Sequence, residues 1–127
     1  MKLLGLLLLL TSALSFAAPK AHKQKIRKIE FETKQLEDGV HWMPESITVT
    51  QGEVVQFIVK HTIPGKDEHG FFIPELKIKT VVKRGKTEKI TKEIPTTLPA
   101  GEYKVLCDKH EGTHKPATLV VKEMGAT

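Results

Sequence analysis

Short runs of alternating apolar and polar residues, separated by turn residues, constrain the fold of this 127-residue chain most strongly. The clearest run is rich in β-branched residues and covers 54–59, just after a turn at 51–53. Similar runs recur at 26–32, 46–50, 76–82, 87–94, 101–107 and 118–121, and no segment carries a helical repeat over eleven residues. Residues 41–45 and 61–69 are predicted to be loops. Seven or eight short strands with regular turns predict an all-β, Greek-key β-sandwich or barrel.

The first 25 residues predict an export signal followed by a flexible tail. Lys2 precedes a run with seven leucines between residues 3 and 10, and small residues follow. Ser15 and Ala17 suit the −3 and −1 positions, so residues 1–17 are a predicted signal peptide that is cleaved after Ala17. Residues 18–25 are a predicted flexible tail, and 26–123 form the predicted domain. The apolar run is too short for a stable bilayer anchor. We therefore expect a periplasmic or secreted protein that has no stable membrane insertion after cleavage.

The net charge of the chain and its distribution argue against nucleic acid as a partner. Without Lys2, the 20 basic and 15 acidic residues leave a formal charge of +4 rather than +5. This excess is spread along the chain and interleaved with acids, so we expect no nucleic-acid binding. It suits transient docking to an acidic partner or a membrane surface. The pattern predicts no particular oligomeric state.

A short segment at 107–116 carries the residues with the most distinctive chemistry. It contains Cys107, the only cysteine, together with His110 and His114, and a glycine and a proline that favour a loop. Thiolate and imidazole ligands at this spacing favour a late first-row metal ion. The segment needs a further ligand from elsewhere, and His69, which precedes the apolar residues 71–74, is the best candidate. His61 is an outer-shell candidate, whereas His22 and His41 are not predicted to be ligands.

Three other interpretations of these residues remain open on the sequence alone. Cys107 shares the inward-facing parity of Tyr103 and Val105, which is typical of a buried structural cysteine. Zinc is less favoured, because structural zinc sites usually carry two or more cysteines. A cysteine nucleophile with His69 or His110 as its base lacks an orienting third group.

Two segments resemble the cupredoxin family. Residues 101–110 are similar to the family signature G-x-Y-x-x-x-C-x-x-H, and 44–55 resemble its early P-x-x-I-x-V-x-x-G-x-x-V strand pair. His69 lies where the family places its first histidine ligand. The resemblance covers nearly all of the predicted mature chain and implies a cupredoxin-like β-sandwich.

Two subgroups of the family resemble the chain more locally. Residues 69–76 resemble the histidine loop of the copper domain in cytochrome oxidase subunit II. The dinuclear centre of that domain needs two cysteines, so a dinuclear site is not implied here. Residues 114–121 resemble nitrosocyanin, a red copper protein with a second histidine after its ligand loop. The loop is one residue shorter here, and His69 replaces the glutamate ligand of that protein.

The resemblance implies one copper ion per chain. It implies His69, Cys107 and His110 as the equatorial ligands and His114 as the axial or fourth ligand, with Glu111 as a reserve oxygen ligand. Met43 and Met124 are far from the loop in sequence and are poor axial candidates. A His114 side chain that points to solvent beside Lys115 is the competing expectation.

The implied function is single-electron transfer to or from a redox partner protein, which the basic charge allows to be acidic. The expected protein is therefore not an enzyme. The alternatives are a copper chaperone, storage or tolerance protein, and a nitrosocyanin-like red copper site with catalytic small-molecule chemistry.

Overall fold

The computed structural model describes residues 25–65, 68–110 and 112–125. The predicted signal peptide and all but the last residue of the predicted tail lie outside these ranges, so both stay predictions. Within the described residues, no helix has the length and apolar character needed to cross a bilayer.

Ten strands and one short 3-10 turn form the secondary structure of the described residues. The strands are β1 (Arg27–Leu36), β2 (Gly39–Met43), β3 (Ser46–Thr50), β4 (Val54–Lys60), β5 (His69–Ile73), β6 (Ile78–Val82), β7 (Thr87–Glu93), β8 (Gly101–Val105), β9 (His114–Lys115) and β10 (Ala117–Lys122). The 3-10 turn, Pro74–Leu76, connects β5 to β6.

The strands form three hydrogen-bonded groups that build two layers. One layer has the order β7-β4-β1-β2-β9, and the second contains β3-β10-β8 and the hairpin β5-β6. Two backbone hydrogen bonds of 3.0 and 2.8 Å between Phe72 and Leu106 join the hairpin to the chain just after β8. Strands distant in sequence are neighbours in both layers, and the predicted all-β sandwich is confirmed.

The core lies between the layers because apolar side chains alternate along the strands. In β1, Ile29 and Phe31 are buried and their neighbours are exposed. Phe57 of the neighbouring strand β4 and Phe71 of β5 in the facing layer pack on Phe31, with ring centroids 6.2 and 5.4 Å away. Burying one such side chain contributes about 2 kcal/mol to the free energy of unfolding.

Three short strands that the sequence did not predict, β2, β5 and β9, carry or border the predicted ligands. Residues 41–45 were expected to form a loop, and that prediction is wrong for 41–43, which belong to β2 and pair with β1 as the second arm of a hairpin. Cross-strand pairing outweighs the weak local pattern of this segment, and fully buried Trp42 anchors it. The strand β9 pairs in parallel with β2, and His114 lies opposite Val40. The predicted loop at 61–69 ends one residue early, because His69 begins β5.

Gly39 brings the start of β2 into close contact with the segment that precedes His114. Its φ is +131°, and a Cβ atom at this position would overlap the carbonyl oxygen of Thr113. The amide of Val40 donates a 3.1 Å hydrogen bond to that same carbonyl. A glycine is therefore required both for the backbone conformation and for the close approach.

We predict that Gly39→Ala destabilises the fold more than Gly65→Ala. Gly65 has a similar φ of +139°, but a Cβ atom there would meet no atom of the described residues within 4 Å. Both variants carry backbone strain of about 1–3 kcal/mol, and only Gly39→Ala adds an overlap that costs about 1–3 kcal/mol. Urea unfolding of both variants measures the difference. Equal midpoints would show that the contact with Thr113 is unimportant.

Candidate metal centre

Three strand ends bring His69, Cys107 and His114 to one place. His69 is the first residue of β5, and His114 is the first residue of β9. Cys107 follows Leu106, whose backbone pairs with Phe72 of β5. Each residue is thus fixed by backbone hydrogen bonds on at least one side. His69 comes from one part of the chain, and Cys107 and His114 come from the two ends of a short segment further along.

The potential ligand atoms of these three residues lie close together and out of solvent. The Nδ1 atoms of His69 and His114 are 3.1 Å apart, and Cys107 Sγ lies 3.8 Å from His69 Nδ1. The three ligand atoms all fall within 4.8 Å of one another. The exposed fractions of His69, Cys107 and His114 are 4%, 5% and 6%. This is a preformed, water-poor cluster of one sulfur and two nitrogen atoms.

The sulfur atom of Cys107 is held by the backbone of β5. The amide of Gly70 donates a hydrogen bond to Sγ across 3.3 Å. A Cβ atom at Gly70 would overlap Oδ1 of Asp108, so a larger residue here would require the Asp108 side chain to move. The other carboxylate oxygen, Oδ2, lies 3.6 Å from Nζ of Lys79. An amide donor of this kind orients a thiolate ligand and tunes its donor strength.

His114 is buried, neutral and incompletely hydrogen-bonded. Its amide donates a 3.0 Å hydrogen bond to the carbonyl of His110. Burial, followed by the nearby imidazoles of His69 and His110, lowers the pKa of His114 to about 3, so the ring is neutral at neutral pH. Its Nε2 atom is buried and has no hydrogen-bond partner among the described residues. The competing expectation that His114 points to solvent is wrong.

His110 lies beside this cluster but outside the group of three. Its ring centroid is 4.8 Å from that of His69, and the side chain is half-buried. Its Nε2 donates a 2.8 Å hydrogen bond to the carbonyl of Glu68. That bond leaves a lone pair on Nδ1 of the neutral ring. His110 as a ligand therefore stays a prediction, and Glu111, the reserve ligand, lies outside the described residues.

The other histidines have different roles. His61 is 2% exposed and packs edge-to-face on the His69 ring, with centroids 4.4 Å apart. The Thr33 hydroxyl lies 3.0 Å from its Nδ1. His41 lies between the carboxylates of Asp38 and Glu45, at 2.7 and 3.3 Å. His61 thus packs against the predicted ligand His69, and His41 forms a separate contact with two surface carboxylates.

Trp42 is the residue of the site that sequence reasoning missed. Its indole is fully buried, lies 4.7 Å from the ring of His114 and approaches His69 edge-on at 6.4 Å. Residues 41–45 are predicted to be a loop, so Trp42 was not expected in the core. The available signal was that the single tryptophan of the chain stands three residues after Gly39.

The donor set fits a soft late first-row metal ion. Thiolate and imidazole ligands suit copper, and the presence of a single cysteine disfavours a structural zinc site. The buried Nε2 atom of His114 has no partner among the described residues, so this imidazole is not satisfied by those protein contacts alone. His69, Cys107 and His114 would hold the ion.

The chain belongs to the cupredoxin-like domain family, whose model matches residues 4–121. The match begins within the predicted signal peptide. No curated protein sequence matches the chain. The family and the geometry together define a copper-binding cupredoxin domain in which His69, Cys107 and His114 are positioned to bind one copper ion.

Solved structures confirm the fold. Auracyanin A, a blue copper protein of Chloroflexus aurantiacus, is 17% identical over 77% of this chain and 100% of its own, with a TM-score of 0.59. The metal-binding domain of the Cu(I)-exporting ATPase CopA of Streptococcus pneumoniae is 16% identical over 77% and 87%, with a TM-score of 0.59. The copper nitrite reductase of Nitrosomonas europaea is 13% identical over 80% and 43%, with a TM-score of 0.65.

We predict that one equivalent of copper(II) quenches most of the Trp42 fluorescence. The only indole of the chain contacts the ring of His114, so a paramagnetic ion held there accepts its excitation energy at short range. Titration followed by emission gives the stoichiometry. Zinc(II) serves as the closed-shell control, and His41→Ala as the control for surface binding. Emission that is unchanged at one equivalent, or that falls only with excess metal, contradicts the assignment.

Proposed function

We propose that this protein transfers single electrons through one copper ion held by His69, Cys107 and His114. When bound, copper supplies a reversible one-electron couple. The observation that carries the proposal is the buried cluster of one thiol and two imidazoles, with contacts of 3.1 and 3.8 Å already formed in the polypeptide. Strand pairing fixes these positions, and burial excludes water. Both properties reduce the reorganisation that accompanies electron transfer.

We propose that His114 and His110 exchange the roles that the resemblance implies for them. His114, rather than His110, lies with His69 and Cys107, because β9 pairs with β2 and fixes His114 in the buried layer. His110 is proposed as the fourth, weaker ligand. The carbonyl of Glu68 supports this role, because it accepts a hydrogen bond from the Nε2–H group and leaves the lone pair of Nδ1 for a metal ion.

We propose that a redox partner docks next to Cys107 and His114. A cavity of about 390 Å³ borders both residues and is walled by Phe72, Leu106 and Pro116. Lys115 and Asp108 line the same cavity, and Lys79 lies 3.6 Å from Asp108 and above the Phe72 ring, 5.9 Å from its centroid. Two lysines against one aspartate leave an excess of positive charge, which together with the apolar walls fits an acidic partner. The predicted signal peptide supports a periplasmic or secreted location.

Copper handling is the second candidate function. The cavity beside Cys107 and His114 offers a route by which a ligand of another protein could reach the ion. The similarity to the CopA metal-binding domain, solved with Cu(I), also supports this candidate. Small-molecule catalysis has weaker support, because the chain covers only 43% of the copper nitrite reductase that it resembles.

Voltammetry and copper transfer to a chelator separate the two functions. We predict a reversible one-electron wave and rapid electron self-exchange, because the ligands are fixed before the metal binds. Loss of copper(I) to a competing chelator should be slow, over hours. An irreversible wave together with copper loss within seconds would support copper handling and contradict electron transfer.

His114→Met and His110→Met test the proposed order of ligands. An imidazole in the fourth position donates more strongly than a methionine sulfur, which weakens the copper–thiolate bond and stabilises copper(II). We therefore predict that wild-type protein is green, yellow or red. His110→Met should shift the absorption toward blue-copper wavelengths and raise the reduction potential, whereas His114→Met removes one of the three main ligands and should weaken copper binding and the thiolate-to-copper absorption. Equal colours and potentials in wild type and His114→Met would exclude His114 as a ligand.

A further inference from the structure

We infer that Trp42 is a positioning residue of the metal centre. Its indole sets the spacing of His69, Cys107 and His114 before any metal binds. The inference rests on the proposed function for the identity of the metal site. The contacts that carry it belong to the polypeptide alone.

The indole of Trp42 contacts the rings of His69 and His114, two of the predicted ligands. Its ring lies against that of His114 at 4.7 Å and an interplanar angle of 38°. It meets the ring of His69 at 6.4 Å and 74°, which is an edge-on contact. One rigid side chain, with two rotatable bonds, thus restrains two imidazoles whose Nδ1 atoms are only 3.1 Å apart.

The same indole also holds the segment that carries the cysteine. Its Nε1 donates a 3.3 Å hydrogen bond to the carbonyl of Leu106, the residue before Cys107. The amide of Leu106 donates in turn to the carbonyl of Phe72 in β5. A single buried side chain therefore connects the segments of all three predicted ligands.

Trp42 cannot easily turn away from these contacts. It is fully buried, and the ring of Phe71 packs against it at 5.4 Å and 88°. Its backbone pairs with Thr33 in the hairpin of β1 and β2. Because the core holds Trp42 in place on one side, the indole holds the ligand side chains in place on its other side.

Three variants separate positioning from general stability. Trp42→Phe keeps an aromatic ring but removes the N–H donor, and Trp42→Leu removes both. Phe57→Leu is the matched control, because Phe57 is equally buried and its ring contacts lie on Phe31 and Phe71. The readouts are the thiolate-to-copper absorption, the copper hyperfine splitting, and the imidazole ¹⁵N shifts of His69 and His114 in metal-free protein.

We expect all three variants to lose stability, and only the two Trp42 variants to change the spectra. Trp42→Leu should bind copper at least tenfold more weakly than wild type, and Phe57→Leu less than threefold more weakly. Spectra of both Trp42 variants that match the wild type, or that change no more than those of Phe57→Leu, would overturn the inference.

An isosteric replacement keeps the test decisive if a variant does not fold. Trp42 is the only tryptophan, so biosynthetic substitution by its benzothienyl analogue replaces one N–H by sulfur at nearly constant shape. Altered spectra in that protein support the inference, and unchanged spectra overturn the hydrogen bond to Leu106 as its basis. If wild-type protein takes up no copper, the proposed function fails. The ¹⁵N shifts of His69 and His114 in metal-free protein then test the role of Trp42 independently of copper.

Discussion

The pairing of Phe72 with Leu106 is the interaction on which the rest of the site depends. Two backbone hydrogen bonds join the β5–β6 hairpin to the end of β8. Three residues before Phe72 stands His69, and one residue after Leu106 stands Cys107, so this pairing brings a nitrogen and a sulfur ligand from distant parts of the chain within 3.8 Å. Gly70 completes the contact, because its missing side chain leaves room for Asp108 and its amide reaches the sulfur.

The buried ring of His114 is costly to the fold unless something binds its unpartnered nitrogen. The residue is more than nine-tenths buried, its ring is neutral, and its Nε2 atom has no hydrogen-bond partner among the described residues. Burying an unpaired polar group destabilises a fold by about 1–3 kcal/mol. A metal ion that binds only the folded chain raises the free energy of unfolding by mass action. The arrangement therefore favours a site that is assembled for a metal over one that merely fills the core.

The fold and part of the site could be predicted from local patterns. Alternation at Ile29 and Phe31 and the β-branched run of β4 predicted the sandwich. The C-x2-H-x3-H spacing predicted the candidate ligands of the segment at 107–116. The same spacing could not rank His110 against His114, because that ranking depends on the parallel pairing of β9 with β2. Trp42 was missed for a related reason: a five-residue strand before a proline has little local signal, and its burial depends on partners far away in sequence.

X-ray absorption at the copper edge tests the central claim most directly. The protein loaded with one equivalent of copper should show one sulfur neighbour, from Cys107, together with nitrogen neighbours whose outer-shell scattering is that of two or three imidazoles. This result would establish that the buried cluster of His69, Cys107 and His114 holds the ion. A spectrum that contains only nitrogen and oxygen neighbours would place copper elsewhere on the chain and contradict the account.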